Sequence, residues 1–263
     1  MGNAFIAVEG QHDVEVIAAL LEGLGFHKEK RIEQLQDLFC SRLIETKFPY
    51  RGDLYARVPN PMFLSNGVFW VAVQACGGDS EIVRLIGEAL KQLQVEPEAI
   101  TAVGVIRDAD SKSPAKQVSD LVAALAEIRQ IPNYQVQLPS QPCEIAEGSP
   151  RFGIYILPDQ ESTGTVEDVL LECAQTVYAG LLAGAVHYVD HIDRAGLTEK
   201  DLELLAKPSG PKKAKVACVA SILKPGMSLA TSIDQNRWFD EEPRKLPRVQ
   251  ALSDFLKQLC GLP

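Results

Sequence analysis

The sequence lacks a hydrophobic run long enough to cross a bilayer. Its longest weakly polar run, Val177 to Val189, contains two glycines and His187, and it is much shorter than the ~20 residues that a membrane-spanning helix needs. No Lys or Arg precedes the apolar stretch Ala4 to Val8, so the pattern of a secretory signal is missing as well. We therefore expect a protein that has no membrane span.

Cysteine pairs and glycine-rich motifs are also missing. The six cysteines are scattered and form no C-x-x-C pair, which argues against a zinc ribbon or a dense disulfide scaffold. Reduced thiols in the cytoplasm are the simplest interpretation. There is no P-loop and no G-x-G-x-x-G motif, so a nucleotide-hydrolysing motor or a dinucleotide-dependent dehydrogenase has no motif to support it.

Positive charge is scarce relative to negative charge. The 263 residues include 26 Lys and Arg against 35 Asp and Glu, which gives a net charge of −9. An acidic balance of this size is modest evidence against tight, non-specific DNA binding. With 46% hydrophobic and 23% charged residues, the composition is that of a globular protein with one large domain or two small ones.

Hydrophobic patterning predicts strands that alternate with helices. Four short apolar runs are each followed by apolar residues at helical spacing. Three consecutive strand–helix units indicate a parallel sheet with right-handed crossovers and helices on both faces. The four runs are Asn3–Val8, Val68–Ala75, Ile100–Ile106 and Phe152–Leu157.

The same patterning suggests how the chain is divided. Residues 27–67 are more polar and are interrupted by prolines, and we interpret them as an insertion with one helix. Beyond residue 172 the pattern is mainly helical. We therefore expect an α/β core over residues 1–172 and a helical extension, packed on that core, over residues 173–263.

Acidic residues cluster at the predicted strand ends. Glu9 closes the first strand, Asp79 follows the second, and Asp108 and Asp110 close the third. Ligands of open α/β sheets bind outside the carboxyl ends of the strands. Residues i and i+2 of an extended segment share a face, so Asp108 and Asp110 are predicted to converge, and Glu9 joins them if the strand order is 2-1-3. Such oxygen ligands favour Mg²⁺ or Mn²⁺, although a D-x-D turn that only caps backbone amides is an alternative.

Two segments of the sequence resemble the Toprim domain. They are A-V-E-G-Q-H-D over residues 7–13 and V-I-R-D-A-D over residues 105–110. The Toprim domain is shared by topoisomerases, bacterial primases, small RNA-maturing nucleases and the overcoming-lysogenization-defect nucleases. The resemblance covers residues 3–172 and implies a Rossmann-like sheet. Gly153–Leu171 and the region of Trp238 further resemble a family of uncharacterised bacterial Toprim-related proteins.

The resemblance implies Mg²⁺-dependent phosphodiester chemistry on DNA or RNA. Glu9 would act as an acid/base or metal ligand, and Asp108 and Asp110 would hold Mg²⁺ or Mn²⁺. The chain lacks the zinc-ribbon cysteines of a primase and the length of a topoisomerase, so a nuclease-like protein is the better match. A Toprim-fold module that binds nucleic acid or a protein without catalysis is the main alternative. An aspartyl phosphotransfer protein ranks last, because Glu9 stands where its Asp would be. The oligomeric state is open.

Further residues are candidates for the same site. Asp13, one helical turn beyond Glu9, is either an additional ligand or a helix cap. Glu167 follows the capping-box residue Thr165, so it is either a site residue or an ordinary residue of a first helical turn. Lysines close after the D-x-D pair, and others in the acid-free segment 204–233, either contact substrate phosphates or form a solvated surface. These lysines are Lys112, Lys116, Lys212, Lys213 and Lys215.

Overall fold

One mixed sheet with helices on both faces forms the centre of the protein. A computed structural model describes residues 2–35, 38–50, 52–55, 58 and 60–262, with only the backbone of residues 38, 79 and 80. This architecture confirms the predicted α/β fold class. The strands are β1 (Gly2–Val8), β2 (His27–Lys28), β3 (Met62–Ser65), β4 (Phe69–Ala75), β5 (Ala102–Asp108), β6 (Ile145–Ala146) and β7 (Arg151–Leu157).

Helices follow most strands and make up nearly all of the C-terminal part. In the described residues, no helix is both long and apolar enough to span a membrane. The helices are α1 (Gln11–Gly23), α2 (Leu38–Leu43), α3 (Asp79–Leu93), α4 (Pro114–Ala124), α5 (Val166–Val177), α6 (Ala179–Asp190), α7 (Glu199–Ala206), α8 (Gly210–Leu223), α9 (Leu229–Gln235) and α10 (Pro247–Cys260).

The strand order is β2-β3-β4-β1-β5-β7-β6. The four middle strands, β4, β1, β5 and β7, are parallel and correspond to the four predicted apolar runs. Such runs are continuous because both faces of a central parallel strand are buried. The arrangement β4-β1-β5 is the 2-1-3 order of the three predicted units, so the carboxyl ends of β1 and β5 are neighbours.

The edges of the sheet were not predicted. Strands β2 and β3 lie inside the segment 27–67 and pair antiparallel beyond β4, and β6 pairs antiparallel with β7. The segment is therefore more than an insertion with one helix, although α2 lies within it. These edge strands have only two to four residues. Their pairing depends on the neighbouring strand rather than on a local pattern.

Side chains alternate between two cores, one on each face of the sheet. Ala4, Ile6 and Val8 of β1 belong to the core that α1, α5, α8 and α10 cover. Phe5 and Ala7 belong to the opposite core, which α3 and α4 cover. Successive residues of a strand point to opposite faces, so most residues of a central strand are apolar or small.

The last helix packs directly on the sheet at two glycines. A Cβ atom at Gly104 of β5 would lie 2.6 Å from Leu259 Cδ2, and one at Gly153 of β7 would lie 2.9 Å from Phe255 Cε2. The C-terminal part of the chain thus shares a core with the sheet. The predicted boundary between residues 172 and 173 lies inside α5.

Candidate acidic site at the carboxyl edge of the sheet

Glu9 and Asp108 lie side by side at the carboxyl ends of β1 and β5. The two strands are parallel neighbours, with Val8 opposite Ile106. Glu9 follows β1 directly, and Asp108 is the last residue of β5. The backbone N–H of Asp108 donates a hydrogen bond to Glu9 Oε1 at 3.1 Å. The sheet topology therefore brings two of the predicted acidic residues together.

Asp108 is a buried carboxylate with an unusual titration. Only 8% of the residue is exposed, and its Oδ1 accepts a hydrogen bond from the backbone N–H of Val166 at 2.8 Å. Burial raises the pKa of Asp108 well above its ordinary value, and the negative charges of Asp13, Glu9 and Glu167 raise it further. A carboxyl group in such surroundings is stable as an anion only if a positive charge comes close.

Asp13 is both a helix cap and a member of this group of carboxylates. Helix α1 begins at Gln11, two residues earlier than the predicted cap, and Asp13 Oδ2 accepts a hydrogen bond from the Gly10 N–H at 2.8 Å. Its Oδ1 is buried and has no hydrogen-bond partner in the described residues. Burial raises the pKa of Asp13 to about 6, and the charge of Glu167 contributes in the same direction.

Glu167 lies in the first turn of α5, as the capping pattern predicts. The Thr165 N–H donates to Asp168 Oδ2 at 2.9 Å at the start of this helix. Glu167 is 3% exposed, and within the described chain its Oε2 has no hydrogen-bond partner. Its charge acts on both Asp13 and Asp108. We call Glu9, Asp13, Asp108 and Glu167 the acidic cluster.

Basic groups lie around the acidic cluster, and two of them, Arg107 and His12, were not among the predicted site residues. The buried Arg107 Nε lies 3.5 Å from Glu9 Oε1. Arg107 directly follows the apolar run Ile100–Ile106, and a charged residue at this point was the sequence signal that could have identified it. The charge of Lys213, at the start of α8, offsets part of the raised pKa of Asp13. Burial lowers the pKa of His12, and Glu167 acts in the opposite direction.

Asp110 does not lie beside Asp108 on an extended strand. Strand β5 ends at Asp108, and Asp110 has a positive φ of 53° and an exposed side chain. Its backbone N–H donates to the Gly164 carbonyl oxygen at 2.8 Å. The i, i+2 geometry fails because the chain turns towards the loop before α5. Asp79 is the first residue of α3, and its side chain lies outside the described residues.

The predicted lysines separate into two groups. Lys112 and Lys116 form ion pairs with Asp120 of α4, at 3.5 and 2.7 Å, and Lys215 forms one with Asp190 of α6 at 2.8 Å. The positive charge of Lys213 lowers the pKa of Asp13, a member of the acidic cluster. Lys212 Nζ lies 2.7 Å from Asp168 Oδ1, in the first turn of α5. The structure thus puts the start of α8, with Lys212 and Lys213, next to the acidic cluster.

The chemistry of the acidic cluster suits a hard divalent cation, although its geometry is not that of a finished metal cage. In the part of the chain that the structure describes, no group of three or more His, Cys, Asp or Glu side chains is arranged to hold a metal ion. The cluster nevertheless offers carboxylate oxygens, which Mg²⁺ prefers, and within the described residues two of them are buried without hydrogen-bond partners. Buried polar atoms normally have a partner, so the chemistry of these residues, though not their present arrangement, fits a bound cation.

Comparison with known proteins identifies a fold and a family. No curated protein matches the chain. The crystal structure of hypothetical protein PH0156 from Pyrococcus horikoshii OT3 is similar, with a TM-score of 0.54 and 17% identity over 98% of this chain and 95% of that chain. This likeness concerns the fold alone. The model of the family described as "Protein of unknown function (DUF3226)" matches residues 3–261. The chain therefore belongs to the DUF3226 family.

Proposed function

We propose that this protein performs Mg²⁺- or Mn²⁺-dependent phosphodiester chemistry on nucleic acid, as a nuclease-like Toprim protein. The observation that carries the proposal is the burial of two carboxylate oxygens, on Asp13 and Glu167, that have no hydrogen-bond partner in the described residues and lie beside Asp108. Burial and the neighbouring negative charges raise the pKa of Asp13 and Asp108, so these two carboxyl groups resist ionisation. A divalent cation removes both effects, and phosphoryl-transfer sites commonly use such a cation.

We assign Asp108, Asp13 and Glu167 as the residues that would hold the cation, whose charge would have to draw their carboxylates together, because no three such side chains are arranged around a metal ion in the described residues. Asp108 belongs to this set because the negative charges of Asp13 and Glu167 raise its pKa. Asp110 stays a candidate ligand, since its exposed carboxylate is two residues from Asp108. When bound, the cation would polarise a phosphate oxygen and stabilise the negative charge that develops in the transition state.

Glu9 is the residue that we assign to proton transfer. Its side chain is 22% exposed, more than the buried Asp108, so a substrate can reach it. The N–H of Asp108 and the guanidinium of Arg107 orient its Oε1. From this position Glu9 would take a proton from an attacking water or give one to the leaving oxygen. The Toprim resemblance supports the same role for Glu9.

A binding module without catalysis is the second candidate function. The observation that favours it is the position of Asp110, which leaves the strand and does not join Asp108 through an extended segment. In that case the protein would bind nucleic acid or a protein partner through other surfaces.

Cleavage assays on purified protein distinguish the two candidates. Supercoiled plasmid, single-stranded DNA and RNA are incubated with Mg²⁺, with Mn²⁺ and with EDTA, and Mn²⁺ binding is measured in parallel by calorimetry. We expect cation-dependent cleavage that falls by about 100-fold or more in Asp108→Asn, as for the loss of a group that stabilises transition-state charge. Asp120→Asn is the matched control, because Asp120 belongs to α4 and forms ion pairs with Lys112 and Lys116 rather than with the acidic cluster, and it should cleave normally. Cleavage retained by Asp108→Asn, or no cation binding and no cleavage by the wild type, would overturn the proposal.

A further inference from the structure

The loops that precede α5 and α8 enclose a pocket next to the acidic cluster. The pocket has a volume of about 540 Å³, within the range of ~300–1,000 Å³ that is usual for small-molecule sites. Two of its residues, Asp110 and Thr165, are each two positions from a member of the acidic cluster. The lining consists of Asp110, Ser111, Thr163, Gly164, Thr165, Lys207, Pro208, Ser209 and Lys212.

The polar groups of this pocket are mostly hydrogen-bond donors and cations. Of the described lining residues, only Asp110 is acidic. Lys207 has no ion pair in the described residues, whereas Lys212 is paired with Asp168 across the two helix starts. Hydroxyl groups of Ser111, Thr163 and Ser209 complete the lining. Such a combination suits a phosphate group, which accepts hydrogen bonds at all of its outer oxygens.

Two details of the pocket wall point to a missing ligand. Thr165 is 2% exposed, and its Oγ1 has no hydrogen-bond partner among the described residues. Ser209, at the start of the 14-residue helix α8, forms no side-chain cap hydrogen bond. Helix N-termini attract anions through their free amides and the helix dipole. An anion in the pocket would therefore meet a buried hydroxyl that otherwise lacks a partner.

We infer that this pocket binds a phosphomonoester group carried by a nucleotide. The substrate of the acidic cluster is then a phosphorylated strand end or a nucleotide-sized phosphoester, rather than the interior of a duplex. Binding along the interior of a strand requires a longer positive track than the two lysines that line this pocket supply. This inference rests on the proposed phosphodiester chemistry and specifies its substrate.

Binding measurements in EDTA test the inference separately from catalysis. Fluorescence anisotropy compares a short single-stranded oligonucleotide with a 5′-phosphate against the same oligonucleotide with a 5′-hydroxyl, and calorimetry compares adenosine 5′-monophosphate with adenosine. We expect the phosphorylated member of each pair to bind about tenfold more tightly, since the hydrogen bonds involve charged groups. Tighter binding of the oligonucleotide than of the nucleotide would indicate a strand end, and the reverse would indicate a small phosphoester. Equal binding with and without the phosphate would overturn the inference.

Point variants locate the binding site. Lys207→Gln and Lys212→Gln should each weaken binding of the phosphorylated ligands by about tenfold. Lys207→Gln breaks no ion pair within the described chain, so its effect cannot arise from a lost contact between α5 and α8. Lys224→Gln, at the other end of α8, is the matched control and should bind normally. Equal losses in Lys224→Gln and Lys207→Gln would contradict the assignment.

Thr165→Val provides an independent readout. The valine side chain has nearly the shape of threonine but no hydroxyl, so we expect phosphate binding to weaken about three- to tenfold. The melting temperature should not fall, because the removed hydroxyl has no hydrogen bond to lose within the described residues. Full affinity in this variant would refute the role of the Thr165 hydroxyl. If these variants lose phosphate binding but keep cation-dependent cleavage of circular plasmid, only the strand-end inference fails. If Asp108→Asn keeps cleavage, the proposed function itself fails.

Discussion

Replacement of Asp13 by asparagine tests the electrostatics of the acidic cluster. Burial and the charge of Glu167 raise the pKa of Asp13 from 3.8 to about 6. The folded protein therefore holds this proton more tightly than the unfolded chain, so the free energy of unfolding falls as the pH rises from about 4 to above 6. The pKa difference of 6 − 3.8 = 2.2, at ~1.4 kcal/mol for each pKa unit, corresponds to a loss of about 3 kcal/mol at pH 8.

The Asp13→Asn variant has no such titration but keeps a side-chain oxygen that can accept the Gly10 N–H. In EDTA we expect it to be about 3 kcal/mol more stable than the wild type at pH 8, and less than about 1 kcal/mol more stable at pH 4. Urea denaturation followed by circular dichroism measures the difference. Asp120→Asn changes an exposed aspartate in an ion pair with Lys116 and should not stabilise the protein at either pH. An Asp13→Asn variant that gains no stability at pH 8 would refute the reasoning.

Two further substitutions test the packing that positions the acidic cluster. Gly104→Ala introduces a Cβ that would lie 2.6 Å from Leu259 Cδ2, so the Leu259 side chain or α10 itself must shift, and urea denaturation should show a loss of about 1–3 kcal/mol; an unchanged midpoint would show that the Leu259 side chain adapts freely. Trp238→Phe removes the hydrogen bond from the buried indole N–H to Ser232 Oγ, which is 2.9 Å long, and leaves a cavity. The same measurement should give a loss of about 1–3 kcal/mol, whereas no loss would mean that this bond contributes nothing net.

The central sheet was predictable from the sequence because its four parallel strands carry their own signal. A strand that is covered on both faces must be apolar at nearly every position, as in β1 and β5, and such runs are visible without any knowledge of neighbours. The edge strands carry no such signal. For example, β2 has only two residues, and it is a strand only because β3 lies beside it.

Two of the four members of the acidic cluster could be predicted from the positions of the strand ends. Glu9 and Asp108 follow from the rule that parallel strands end at a common edge. The approach of Asp13 to Glu167 depends on how α1 and α5 start beside each other, and this is a tertiary property that neither capping pattern contains. Asp110 was predicted beside Asp108 because residues i and i+2 of a strand share a face. The prediction failed because Asp110 lies beyond the end of β5 and has a positive φ. Local periodicity applies only while the strand continues.

The acidic cluster is the place where the sequence departs from the rules that stabilise the rest of the fold. Elsewhere the buried strand and helix faces are mainly apolar, whereas here three carboxylates, those of Asp13, Asp108 and Glu167, are buried together. A purely structural network would satisfy each buried oxygen, because an unpaired polar atom costs about 1–3 kcal/mol. Instead, Oδ1 of Asp13 and Oε2 of Glu167 have no hydrogen-bond partner in the described chain. Burial and mutual repulsion raise the pKa of Asp13 and Asp108, a pattern typical of functional sites. Under the proposed function, a bound cation would compensate this local loss of stability, and the energy released would contribute to its affinity.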